Sequence, residues 1–463
     1  MDWDLVVVGG GSAGYAGART AAALGLKTAV VDSAEELGGL CILRGCMPSK
    51  ALLSSANRML AVRTAGSLGV RAREPEADVA AMVARKRHLI AQFADYRREQ
   101  LEKGPFELIR GRARLLGPHE IEVGLREGGF RRIHARSILL ATGSRPAPPP
   151  IPGLRDCRPL TSDEVLDATS LPKSVAVLGA GPVSLELAHY MQALGVAVTI
   201  IQRSPQFLRG VDADLAAEVE AAYRERGMAV FTGTELMRIE GTRGDCQVWF
   251  RHAGGEGRVG SEAVFDGLGR APALDGLGIE EAGLERSGKG LHVGPNQATS
   301  VPHIFAAGDC AGPYEIVHIA IQQAEVAARN AARILGGREA VEQTDYRLRL
   351  YAVFTEPQVA VVGLAEDEAR EAGKAVAVAR YPFNDHGKSL VLGDTRGFVK
   401  LLANPETREI LGGAVVGPHA SDLIHEIVVA MGFRATAGQL AALPHYHPTL
   451  SEIWSYPAEE LAG

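Results

Sequence analysis

Apolar residues along this chain fall into short runs that end in glycine, separated by longer stretches with helical spacing. Leu5-Val6-Val7-Val8 is one such run. It stops at Gly9-Gly10-Gly11-Ser12-Ala13-Gly14, after which small residues continue to about Leu24. A continuous apolar run, a glycine turn and an alanine-rich stretch predict a buried parallel strand, a tight turn and a closely packed helix. Thr28 to Val31 repeats the strand signal and ends at Asp32. From Ala77 to Lys103 the spacing predicts a long helix whose stripe is Val79, Met82, Val83, Leu89, Ile90, Phe93 and Leu101, with Arg85-Lys86-Arg87 on its solvated face. Ile138 to Ala141 is again strand-like and leads into Thr142-Gly143-Ser144. Pro146 and Pro148 to Pro150 then mark a connection.

The strand, turn and helix pattern returns at Val175 to Leu178, with Gly179-Ala180-Gly181-Pro182-Val183-Ser184-Leu185-Glu186 as turn and helix start and Ala197 to Ile201 as the next strand. Beyond Leu268-Gly269-Arg270, a short strand ends in Gly308-Asp309 and a helix runs from about His318 to Leu335. From about Thr344 the glycine fingerprint disappears. Strands at Tyr351 to Thr355, Ala360 to Val362 and Phe398 to Leu402 and a helix over Asp422 to Met431 read as a third domain. The pattern predicts an α/β protein with two dinucleotide-binding, Rossmann-like domains and a C-terminal α+β domain. The expected boundaries are 1–148 with 271–340, then 149–270, then 341–463.

The glycine turns carry the first chemistry. In G-x-G-x-x-G, Gly9 permits the tight turn, Gly11 lets backbone approach a pyrophosphate and Gly14 lets helix pack on strand. The helix N-terminus offers free N–H groups to phosphate, and Asp32 stands where an acid binds an adenosine ribose. In the second turn Gly179 and Gly181 keep their places and Ser184 replaces the third glycine. The strand after it ends in Gln202-Arg203 with no acid. An acid there repels a 2′-phosphate, whereas Arg203 and Arg209 can pair with one, so NADPH is favoured over NADH. Asp309 can accept from a cofactor hydroxyl or act as a helix cap.

Length and charge narrow the class. A chain of 463 residues has room for about three domains. Its formal net charge of −6, with both signs interspersed, gives no footprint for nucleic acid. No apolar run approaches the ~18 residues of a membrane span, and no leader pattern precedes the first strand. A cytoplasmic enzyme is expected, in which a disulfide is catalytic rather than structural. Gly38-Gly39-Leu40-Cys41-Ile42-Leu43-Arg44-Gly45-Cys46-Met47-Pro48-Ser49-Lys50 offers such a pair. C-x4-C is equally the spacing of half a metal site or of two core cysteines. Cys157, Cys246 and Cys310 are scattered singly, so no zinc set completes it and no metal is expected. Near the C-terminus, Glu452 follows His447 by five positions, close enough through Pro448 to orient the imidazole or simply to cap it.

Together these motifs resemble the class I pyridine nucleotide-disulfide oxidoreductases over essentially the whole chain and in the family's order. The matching segments are Gly9 to Gly14, Cys41 to Lys50, Gly179 to Glu186, Ala306 to Asp309 and His447 to Glu452. The resemblance implies an FAD enzyme that moves electrons between NAD(P)H and a dithiol or disulfide through a Cys41–Cys46 disulfide. It makes 1–148 with 271–340 the FAD domain, 149–270 the NAD(P) domain and 341–463 the dimerisation domain of a homodimer. Cys41 is then the interchange thiol, Cys46 the flavin-proximal thiol, and Lys50 with Glu186 an ion pair beside the flavin. His447, held by Glu452, is the base that serves Cys41 of the other subunit. Thr142, Gly143 and Asp309 fall in the FAD segments and Gly269 in the second nucleotide region.

Met47 to Leu53 and His447 to Glu452 are most similar to dihydrolipoyl dehydrogenase, which implies a lipoyl-carrying or other small dithiol substrate. Leu40 and Leu43-Arg44 depart from that branch. Arg203 and Arg209 are spaced as in NADPH-dependent reductases of other small disulfides, the alternative reading. A low-turnover redox or structural subunit of a larger complex is a further one. Arg44, between the cysteines, can stabilise a thiolate or face solvent.

Overall fold

In the computed structural model, which describes residues 2–463, the strand Trp3–Val8 lies inside a parallel sheet. Its neighbours are Thr28–Asp32 on one side and Phe130–Leu140 on the other; Glu107–Leu115 and Ile304–Ala306 flank these. Val6 is opposite both Ala29 and Ile138, so the apolar runs pair with one another. Both faces are covered, which is why the runs do not alternate with polar residues. Leu5, Val7, Val30, Leu139 and Phe305 pack on the helices Ser12–Ala23 and Val317–Leu335. Val6, Val8, Ala29 and Leu140 pack on the other side with Ile121, Val123 and Ile133, where Glu107–Leu115, Glu120–Leu125 and Phe130–Leu140 continue as antiparallel strands. Small residues bring the helices in closely: a Cβ on Gly17 would lie 2.4 Å from Leu139 Cδ2 and 3.4 Å from Ala324 Cβ.

This sheet belongs to a unit made of Met1–Pro48, Ala84–Pro148 and Gly269–Thr344. The second unit comprises Ser49–Val83, Pro149–Leu268 and Asp345–Gly463. It holds a four-stranded parallel sheet in the order Ala263–Asp266, Ser174–Leu178, Ala197–Ile201, Ala229–Phe231. The hairpins of Glu235–Thr242, Asp245–His252 and Gly255–Ser261 lie in sequence between its strands Ala229–Phe231 and Ala263–Asp266. A five-stranded antiparallel sheet completes the unit, in the order Leu350–Val353, Gln358–Gly363, Ile410–Gly417, Phe398–Ala403, Ala377–Pro382. The helices Ala420–Gly432 and Ser455–Ala462 cover one of its faces around the fully buried Trp454.

The apolar runs mark the observed strands, and the third region mixes strands and helices as expected. Three details differ. Lys86 is buried at 5% exposure, while Arg85 and Arg87 on either side are exposed, so the basic triplet does not form one solvated face. Phe93, placed in the apolar stripe, is 41% exposed. The middle strand of the antiparallel sheet, Ile410–Gly417, carries Gly412-Gly413 and gives no β-branched signal over those positions. The glycines are needed there. A Cβ on Gly412 would lie 2.1 Å from the Leu364 carbonyl oxygen, and one on Gly413 would lie 2.8 Å from Ile427 Cγ2.

Candidate active site

The first glycine turn is a convergence point of its unit. Gly9 has φ +105, and a Cβ there would meet the Ala141 carbonyl oxygen at 2.4 Å, which sets the turn against the strand end leading into Thr142 and Gly143. A Cβ on Gly14 would lie 1.7 Å from the Gly9 carbonyl oxygen, so only glycine allows this helix start. Asp32 ties the turn to the second strand: its Oδ2 accepts from Gly10 N–H at 2.6 Å and its Oδ1 from Ala34 N–H at 2.7 Å. Asp309, on the short turn Gly308–Cys310, accepts from Ser144 Oγ at 2.5 Å, and Arg270 donates to Ser144 Oγ at 2.8 Å. Gly308 stands by Ala13, where an added Cβ would be 3.6 Å from Ala13 Cβ. Gly269 is exposed, and its carbonyl accepts from Ala147 N–H at 3.2 Å.

The cysteine segment crosses this turn. Gly39 has φ +73, and a Cβ on it would lie 2.7 Å from Gly11 Cα. Cys41 sits in the short helix Gly39–Leu43 and Cys46 opens the helix Cys46–Thr64, both partly buried. The chain between them folds back tightly: a Cβ on Gly45 would come within 3.3 Å of Cys41 Cα. The positive end of a 19-residue helix favours a thiolate at Cys46. Arg44 is exposed at the end of the Cys41 helix. Nearby, Arg97 lies 4.1 Å above the Tyr15 ring, one turn along from Gly11.

In the second unit, Gly179 has φ +94 and Gly181 caps the helix Pro182–Ala193. Ala180 N–H donates to Gln202 Oε1 at 3.1 Å across 22 residues, the same separation as Gly10 to Asp32. A neutral amide therefore stands where the first turn has a carboxylate. Arg203 and Arg209 are exposed in the loop that follows. Lys50 Nζ pairs with Glu186 at 2.8 and 3.0 Å and lies 4.5 Å from the Phe354 ring centre, while Glu186 Oε1 also accepts from Phe354 N–H at 3.0 Å. Glu186 is buried, and these contacts replace its hydration. His447 Nδ1 is 2.9 Å from Glu452 Oε1, with the imidazole side chain 75% exposed. That hydrogen bond, foremost, holds the Glu452 carboxyl below the usual carboxylate range.

Residues 3–324 match the family model described as pyridine nucleotide-disulphide oxidoreductase, and residues 350–457 match that family's dimerisation domain. The chain belongs to this family. A dihydrolipoyl dehydrogenase of Thermus scotoductus is 36% identical over 469 aligned residues, covering 99% of this chain and 97% of that protein. Another from Bacillus subtilis is 33% identical, covering 97% and 96%. The solved structure of LpdA from Mycobacterium tuberculosis superposes with a TM-score of 0.88 at 29% identity over 99% of both chains. The HOCl-induced flavoprotein disulfide reductase RclA of Escherichia coli gives 0.84 at 25% identity over 98% of this chain and 99% of that one.

The chain is thus an oxidoreductase of a family that uses FAD and a nicotinamide dinucleotide. Its first glycine turn fits such a group. A Cβ on Gly11 would find nothing nearer than Gly39 Cα at 3.9 Å, so the backbone there stands open to a phosphate at a helix N-terminus. At Gly181 an added Cβ meets nothing within 4 Å. Among the described residues, no helix is long and apolar enough to cross a membrane.

Several contacts of this pyridine nucleotide-disulphide oxidoreductase lie outside the sequence motifs. The 22-residue offset to Gln202 was readable by analogy with Asp32. His445, whose Nε2 is 2.6 Å from Glu426 Oε1, and the buried His386 carried no local signal. Cys157, Cys246 and Cys310 are buried, and burial foremost pushes the Cys157 thiol up to about 12, as for inert core thiols.

Proposed function

We propose that this chain is a homodimeric, cytoplasmic disulfide oxidoreductase acting on a small dithiol of the dihydrolipoyl type, free or carried on a protein, through Cys41 and Cys46. The observation that carries the reading is the seating of Gly39 against Gly11, which holds the Cys41 segment on the first nucleotide turn. The curated relatives, named dihydrolipoyl dehydrogenase, support the substrate class. Residues 1–148 with 271–340 hold FAD, with Gly9, Gly11, Gly14, Asp32, Thr142, Gly143 and Asp309 around it. Residues 149–270 hold the nicotinamide dinucleotide at Gly179 and Gly181, and 341–463 form the dimer.

Bound FAD supplies the two-electron link between nicotinamide hydride and the cysteine pair. The protein's own residues carry the sulfur chemistry. A substrate thiolate attacks Cys41 Sγ and Cys46 leaves as a thiolate. His447 takes the proton of the second substrate thiol, which attacks the mixed disulfide and releases Cys41. The substrate is oxidised to a disulfide and the cysteine pair is reduced. Glu452 fixes the imidazole that accepts the proton, Lys50 with Glu186 sets the charge near the ring, and His447 works on the partner subunit's Cys41.

Anaerobic reduction by NAD(P)H should unmask a pair of iodoacetamide-reactive thiols that map to Cys41 and Cys46. Either cysteine changed to serine should lose thiol–disulfide turnover yet keep NAD(P)H:ferricyanide turnover. If reduction leaves both cysteines unlabelled, the reading fails. A second reading, an NADPH-dependent reductase of another small disulfide, is favoured by Gln202 in the place of an acid and by the exposed Arg203 and Arg209. Assays with dihydrolipoamide and NAD+ against NADPH with a panel of disulfides separate the two. Arg203→Glu should lower the NADPH/NADH preference about tenfold or more, and an unchanged ratio removes the NADPH argument.

A further inference from the structure

Phe383-Asn384-Asp385-His386 belongs to none of the motifs, yet His386 is fully buried, with 0% exposure. It follows the short turn Phe383–Asp385 and precedes the helix Gly387–Leu392. Its Nδ1 lies 3.0 Å from Ser389 Oγ, and among the described residues its buried Nε2 has no hydrogen-bond partner. A buried ring nitrogen left unpaired is costly and calls for an explanation.

Geometry puts this ring beside the His447–Glu452 pair. Tyr456 meets His386 edge-on, with ring centres 6.3 Å apart and planes at 82°. Glu452 precedes Tyr456 by four residues along continuous helical backbone, from Ser451–Trp454 into Ser455–Ala462, so the two share a face. Glu452 and His447 both act electrostatically on His386, and on its own segment stand Lys388 and Asp385, the latter accepting from Tyr381 O–H at 3.1 Å. Tyr381 in turn stacks on Tyr456 at 3.9 Å. Burial, the largest influence, holds His386 below the ordinary histidine value, so the ring is neutral. Which nitrogen then carries the proton is set by the bond at the other.

We propose that His386 is a positioning residue for the His447–Glu452 base. With Ser389 O–H donating to Nδ1, the ring carries its proton on Nε2 and presents that N–H dipole to the Glu452 side of the pair. The carboxylate is thereby kept turned toward His447 Nδ1, giving the order Ser389, His386, Glu452, His447. This rests on the reading of His447 as the base in thiol exchange. A ring kept only for packing gains nothing from an unpaired nitrogen, and phenylalanine would fill the same space.

His386→Phe removes the N–H and His386→Gln restores a donor near the Nε2 position; both are made in the full-length holoenzyme. In the Phe variant, kcat for dithiol oxidation should fall several-fold. The acid limb of its kcat/KM profile should move to lower pH, because an imidazolium that loses its carboxylate titrates earlier. The Gln variant should recover both, and NAD(P)H:ferricyanide turnover, which bypasses thiol exchange, should be unchanged in either. Ser389→Ala, which frees the tautomer, should shift the limb in the same direction and keeps the test open if the Phe variant does not fold. A limb that stays in place or moves upward, or an equal loss of both activities, overturns the proposal. His447→Gln distinguishes the two levels: full thiol-exchange activity there overturns the base reading and this proposal together. A dead His447→Gln with unaltered His386 variants overturns this proposal alone.

Discussion

Glu356 is a residue whose environment works against its charge. It follows Phe354, whose N–H holds Glu186, and its backbone carbonyl accepts from Arg226 at 2.6 Å. Burial foremost, and then the nearby Asp394, pushes its carboxyl up to about 7. An acid with a raised folded pKa binds its proton more tightly in the native state. Stability therefore falls as pH rises from the ordinary carboxyl value through about 7, and the loss is complete above that. Glu356→Gln removes this dependence. Thermal unfolding should show the variant more stable than wild type at pH 8 by on the order of 1–3 kcal/mol, discounted for partial exposure, with the gap closing near pH 4.5 to 5. Equal stability gained or lost at both ends would falsify the assignment. The same neighbourhood shows why some residues stay silent in a sequence. His189 donates from Nε2 to Asn57 Oδ1 at 2.6 Å and accepts at Nδ1 from Arg226 at 3.2 Å, and burial foremost pushes it down to about 3. Its partners are 132 and 37 positions away, so no local spacing marks it. Gly9, Gly14 and Asp32 take up the tight strand–turn–helix geometry that their spacing announced, because a local turn fixes that spacing along the chain.

At the scale of elements, a buried lysine joins segments that local patterning reads as separate. Lys400, on the strand Phe398–Ala403, has a side chain with 0% exposure, and its Nζ bonds Asp212 at 2.8 Å, Asp214 at 2.9 Å and Glu366 at 3.0 Å. Asp212 stands at the N-terminal boundary of the helix Ala213–Glu225, and its carboxylate accepts from the N–H groups of Glu366 and Asp367. Burial alone lowers the lysine pKa, but the hydrogen bonds that Lys400 donates to Asp212 and Asp214 outweigh it and hold the ammonium above its ordinary value. Lys400→Met would leave the three carboxylates to the exposed Arg380 and Arg370, which pair with Asp214 and Glu366. The expected loss is about 3–5 kcal/mol, read as a lower urea midpoint. A loss under about 1 kcal/mol, the range of an exposed pair, would show the cluster to be solvated. Phe398 to Leu402 was predicted as a strand; the burial of Lys400 within it has no local signal because its three partners are far away in sequence. The neighbouring strand Ile410–Gly417 was missed for the opposite reason. Its glycines are chosen for the close approach of Leu364 and Ile427, which only the folded chain reveals.

The whole molecule poses a question that neither unit answers alone, because the cysteine pair lies in the first unit and the His447–Glu452 pair in the second. The match of residues 350–457 to a dimerisation domain, together with the 75% exposure of the His447 side chain, supports a base presented outward to a partner. Mixed dimers decide it. Cys41→Ser and His447→Gln homodimers should each lack dithiol turnover. A heterodimer made by co-expressing the two with different tags holds one subunit with an intact Cys41 and one with an intact His447. If each site takes its cysteine from one subunit and its base from the other, one complete site forms, and turnover should return to about half the wild-type value per dimer. If each site draws both groups from one chain, the tag-purified heterodimer stays as inactive as its parents. Ferricyanide turnover, independent of both substitutions, normalises the holoenzyme content of each preparation, so a silent heterodimer with normal ferricyanide turnover rules out the shared site.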